Sequence, residues 1–193
     1  MKQIAAIAIG AVLLSGCASR PSTEQNSAPI AGSHALDQLL AFENPGLCTL
    51  SKEATGFLQA MVVADPTVMV GSDDYLRAGK VDAPPALAGR FGKVAMIRHE
   101  GWTAFSVRAS GTVMGLPLHT IHQSYPTGGD PGDFTLEFAA SADTVFPVLR
   151  KMGFPVVIGR DISLGPPDGY ELFIGLQNNP DAPDRSLLTC GYR

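Results

Sequence analysis

Apolar and polar positions along the chain follow two patterns, and the change falls near residue 91. Before it, apolar residues recur at helical spacing. Leu36, Leu39 and Leu40, with Phe42 after them, give one apolar face to a helix that Ser33 can cap and Asn44-Pro45-Gly46 ends. Leu50, Ala54, Phe57, Leu58, Met61 and Val62 predict a second helix from near Ser51, closed by Asp65-Pro66. Val68-Met69-Val70 reads as a short strand, residues 73–78 as a helical turn or two, and Ala83-Pro84-Pro85 as loop. After residue 91 the period falls to two. Strands are expected at 94–99, 102–109, 112–123 and 134–138, with turns at Glu100-Gly101 and Ser110-Gly111 and a loop at 126–133. Phe134, Leu136 and Phe138 point to one face, Thr135 and Glu137 to the other. Pro117 inside a strand implies an edge position or a bulge.

One more helix stands out. Val145, Phe146, Val148, Leu149 and Met152 share a face. Thr144 as N-cap places Pro147 at N3, where its missing amide has no intrahelical partner anyway. Arg150 and Lys151 suit the C-terminal end, and Gly153 the left-handed position beyond it. Strands are expected again at 156–158, 170–176 and 186–190. The pattern predicts an α+β fold. In it a largely antiparallel sheet carries two N-terminal helices and one later helix, packed as a two-layer sandwich. Residues 134–158 read as one β-α-β unit of that sandwich. Residues 33–193, about 160 in number, are expected to form a single domain.

The first 32 residues have a different character. Lys2 is followed by eleven apolar residues without a charge, 4–14. As a helix they would be about 16 Å long, roughly half a bilayer core, which suits a signal peptide rather than a membrane span. Then comes Leu14-Ser15-Gly16-Cys17. This stretch resembles the lipobox of bacterial lipoproteins. The resemblance implies diacylglyceryl transfer to the Cys17 sulfur, removal of residues 1–16, and acylation of the freed amine by a fatty acid such as palmitate. It implies a cell-envelope protein held by that lipid. Ala18, rather than Asp, after the cysteine implies by analogy the outer membrane, with the domain facing the periplasm. Several acyl chains give stable anchoring where one does not. The resemblance reaches no further than the first seventeen residues or so and carries no fold. Residues 17–32 then read as the acylated cysteine and a flexible tether, small, polar and interrupted by Pro21 and Pro29.

Charge adds one exclusion. The formal net charge is −4, and loss of Lys2 would make it −5, so nucleic acid is not the expected partner. Two further cysteines, Cys48 and Cys190, are expected to pair in an oxidising envelope compartment, the alternative being two buried thiols.

No motif names a reaction. G-x-S-x-G, the phosphate loop and G-x-G-x-x-G are all missing, and His99-Glu100 is not H-E-x-x-H because Thr103 stands at the second histidine. His119 and His122 are three apart. On a regular strand they face opposite sides, so a joint site needs a bulge, which Pro117 makes available. Asp130 and Asp133 in the following loop could then add oxygen ligands, the alternative being plain strand histidines. No metal or cofactor is expected. Trp102, Tyr125 and Tyr170 sit at strand ends and are the candidate binding surface, against the alternative of core packing. The expectation is a lipid-anchored module that binds an envelope protein or an envelope component such as peptidoglycan. The alternative is a small hydrolase or metal-binding protein using His99, His119 and His122.

Overall fold

A computed structural model describes residues 33–72, 74–127, 132–165 and 171–192. Strands with alternating apolar residues dominate it. β5 (Ala95–His99), β6 (Trp102–Val113), β7 (Leu116–Pro126) and β8 (Asp133–Phe138) form an antiparallel meander. β9 (Ile162–Ser163), β10 (Leu172–Asn179) and β11 (Ala182–Tyr192) complete a seven-stranded sheet of order β5-β6-β7-β8-β11-β10-β9. One row of its inner face, Val107, Ile121, Leu136, Leu188 and Leu176, crosses five strands in register and is almost wholly buried. Each such side chain contributes about 2 kcal/mol or more by leaving water.

Three short helices cover that face. α1 (Ser33–Leu39), α2 (Lys52–Ala60) and α3 (Ala142–Lys151) bring Leu36, Leu39, Phe57, Leu58, Val145 and Leu149 to the same core. Ser51 caps α2, its hydroxyl accepting from the Ala54 amide at 3.1 Å. Two small hairpins lie beside the helices: β1 (Phe42–Asn44) with β2 (Thr49–Leu50), and β3 (Val62–Ala64) with β4 (Leu76–Ala78). Cys48, left-handed at φ 53° after the single turn Pro45–Leu47, lies at disulfide distance from Cys190 on β11, with Cα atoms 6.0 Å apart. This bond ties the β1–β2 hairpin to the sheet. Among the described residues no helix is long and apolar enough to cross a membrane.

The expected α+β class is overturned. Among the described residues the structure is mostly β, 48% in strands, with a seven-stranded antiparallel sheet and only three helices, one of them small. The N-terminal region is not a purely helical layer. Its apolar residues are divided between short helical segments and two-stranded hairpins. The segment 68–70 is no strand, and Met69 is 80% exposed; the strand is Leu76–Ala78 instead. Residues 134–158 form no β-α-β unit: 156–158 is no strand, Ile158 makes only an isolated parallel bridge to Leu176 of β10, and β11 separates β10 from β8.

Two boundaries also move. β6 runs through Ser110-Gly111 as a bulge, and the reversal falls at Met114-Gly115, where both residues have positive φ (58° and 73°). The Met114 amide donates to the Asp37 carboxylate, so α1 helps hold this turn. α3 starts at Ala142 rather than after Thr144, because the Ala142 amide donates to the Asn178 side-chain oxygen at 2.7 Å. Pro147 therefore lies inside the helix, on its exposed side.

Candidate functional site

The sheet's second face carries the polar half of each alternating strand. Register sets its rows. Arg108, Thr120, Glu137 and Leu187 form one; Ser106, His122, Thr135 and Thr189 the next; Ala104, Ser124 and Asp133 follow, and Trp102 stands beyond them. The Thr135 and Thr189 hydroxyls are 2.9 Å apart.

Glu137 is the unusual member, a carboxylate 4% exposed on the face away from the core. Side chains from three other strands close over it. Oε1 accepts from Asn179 Nδ2 at 2.8 Å and faces Arg185 Nη1 at 3.4 Å. Oε2 lies 3.2 Å from His119 Nδ1 and 3.4 Å from His122 Nε2. His119 Nδ1 also lies 2.6 Å from the Thr120 hydroxyl. Burial opposes ionisation of Glu137. Hydrogen bonds from Asn179, Thr120 and His122, with the charge of His119, outweigh it and bring the carboxyl from 4.5 down to about 2. His122 moves down as well. Burial disfavours its charged form and is only partly offset by Glu137.

The two histidines meet because β7 is irregular. Its pairing with β8 shifts between Leu118 and Thr120, so that Leu118 opposes Phe138 while Thr120 opposes Glu137. The extra residue, His119, thus reaches the same carboxylate as His122. Pro117 stands two residues before it, exposed, on an interior strand rather than an edge. His99 is elsewhere, its ring stacked on Trp102 with centroids 3.9 Å apart and planes 10° apart. Among the described residues no group of three or more His, Cys, Asp or Glu is placed to hold a metal ion. The guanidinium of Arg185 at Glu137 would itself oppose a cation there.

Trp102 and Tyr125 line one groove of about 340 Å³ at the strand ends, together with Tyr192, Ser124 and Asp133. Trp102 is 41% exposed. Tyr125 also packs inward, edge-on to Phe105 at 6.0 Å, and burial pushes its hydroxyl pKa up. A larger groove, about 620 Å³, runs beside the disulfide between Leu47, Leu50, Phe134, Leu164 and Leu172; its lining is mainly apolar. Cys17, Asp130 and Tyr170 lie outside the described residues. Sequence reasoning missed Glu137, Asn179, Arg185 and Tyr192 as site residues. Glu137 alone left a trace, an acidic residue at the outward position between two inward phenylalanines or leucines of a strand.

Compared with family models, curated proteins and solved structures, the chain has no match.

Proposed function

We propose that this protein is a lipid-anchored envelope module, attached through Cys17 to the outer membrane, whose polar sheet face binds peptidoglycan. One observation carries the reading. The face opposite the helices is an ordered polar strip, bounded by an exposed Trp102 at one end and by the enclosed Glu137 cluster at the other. Protein interfaces have apolar centres. This strip instead presents Ser106, His122, Ser124, Thr135 and Thr189, a surface of hydroxyls and imidazole suited to a hydroxylated ligand. Along β6, Trp102 and Arg108 are six residues apart, about 20 Å, enough for an extended chain to lie across. The lipobox-like Leu14-Ser15-Gly16-Cys17 supports the anchor and the compartment.

Co-sedimentation of the full-length chain, purified in detergent, with isolated peptidoglycan sacculi tests the reading. Wild type should pellet with sacculi and Trp102→Ala should pellet less. Wild type remaining in the supernatant would refute it. A hydrolytic reading has one observation in its favour: His119 and His122 both lie within hydrogen-bond reach of a carboxylate. It predicts soluble fragments released from the sacculi in the same assay.

A further inference from the structure

A carboxylate enclosed as Glu137 is costs several kcal/mol in lost hydration unless it is paired. Here five side chains from three other strands pair it: His119, Thr120 and His122 of β7, Asn179 of β10 and Arg185 of β11. Both carboxylate oxygens are engaged, so a ligand meets what the carboxylate orients. An imidazole that donates its inner N–H towards Glu137 or Thr120 turns a lone pair outward. His119 Nε2 and His122 Nδ1 are these outward atoms, on side chains 25% and 38% exposed. Each can hydrogen-bond a ligand hydroxyl, accepting from it when the ring is neutral and donating to it when the ring is charged.

Arg108 lies in the same row, one strand beyond Thr120 and exposed. At two strand spacings it is about 10 Å from Glu137, within reach of a ligand seated over the imidazoles. Its planar guanidinium matches a carboxylate with two parallel hydrogen bonds. Two other carboxylates lie on the same face but outside the row from Arg108 to Glu137. Asp133 lies against Gly191 and Asp161 against Gly175, where a side chain on either glycine would collide with them.

Building on the peptidoglycan reading, we propose that the row from Arg108 to Glu137 is a subsite for an acidic sugar or sugar–peptide unit. Ligand hydroxyls hydrogen-bond to His119 and His122, and a ligand carboxylate pairs with Arg108. The occupant is thus hydroxylated and carboxylated at once, as the glycan strands and stem peptides of peptidoglycan together are.

Two probes test it, both with the full-length chain in detergent. The first is sacculi whose carboxylates have been amidated with carbodiimide and methylamine, compared with untreated sacculi. The second is a soluble oligogalacturonate, compared with its methyl ester. Amidation, esterification or Arg108→Gln should each weaken binding at least tenfold, with Arg108→Lys intermediate and the thermal midpoint of R108Q unchanged. Sacculi bound equally well before and after amidation, or by R108Q as by wild type, would overturn the subsite while leaving the peptidoglycan reading intact. Oligogalacturonate bound in an Arg108-dependent way, with sacculi unbound, would sustain the subsite and remove peptidoglycan as its occupant. Neither probe bound would overturn both.

Discussion

Replacing Glu137 with Gln keeps the shape of a protonated glutamic acid and removes the charge that its neighbours stabilise. The folded protein lowers this carboxyl from 4.5 to about 2, a difference worth about 3 kcal/mol in favour of the folded state when the group is ionised. Because the folded pKa is depressed, this stability is fully present above pH 4.5 and is lost as the pH falls through 2. Urea titrations followed by far-ultraviolet circular dichroism, at pH 5 and at pH 2, read it directly. Wild type should exceed E137Q by about 3 kcal/mol at pH 5 and by about 1 kcal/mol or less at pH 2. A difference of the same size at both pH values would refute the reasoning. It would mean that the variant loses packing or a neutral hydrogen bond rather than a stabilised charge.

Three further outcomes follow from the fold. The disulfide spans a sequence separation of 142 residues, so reduction, or Cys48→Ser with Cys190→Ser, should cost up to about 5 kcal/mol; urea midpoints with and without reductant measure it. Pro147 is exposed inside α3 and cannot donate to the turn before it, so Pro147→Ala should raise stability by about 1–3 kcal/mol, seen as a higher thermal midpoint. The Ser186 hydroxyl is fully buried beside Phe138 and makes no hydrogen bond among the described residues; Ser186→Ala should therefore stabilise by about 1 kcal/mol in urea, and a comparable loss would contradict the burial.

The parts of this architecture legible in the sequence are those decided locally. Ser51 with its apolar spacing marks α2, and the alternation from Phe134 to Phe138 marks β8. The reversal at Glu100-Gly101 is local too, since a left-handed glycine (φ 80°) closes it. What misleads is settled by partners far along the chain. Ser110-Gly111 and Met114-Gly115 are both plausible turns, and Asp37, 77 residues away, bonds the second. Thr144 reads as the cap, yet Asn178, 36 residues on from Ala142, fixes the start of α3. The fold class is misread because apolar residues at helical spacing before residue 66 also serve short hairpins. At the candidate site, the spacing of His119 and His122 raises the question of a bulge but cannot answer it. Glu137, Asn179 and Arg185 join them only through the pairing of β7, β8, β11 and β10, which no short stretch encodes.

The central claim is that the polar sheet face is the binding face. The chain has four histidines, and two of them, His119 and His122, sit on that face at its Glu137 end, while residue 34 belongs to α1 on the side of the helices. Diethylpyrocarbonate labelling of the full-length protein, free and bound to sacculi, reads each histidine separately by mass spectrometry. Binding should suppress labelling of His119 and His122 and leave His34 unchanged. Unaltered labelling of His119 and His122 in the bound protein would contradict the account.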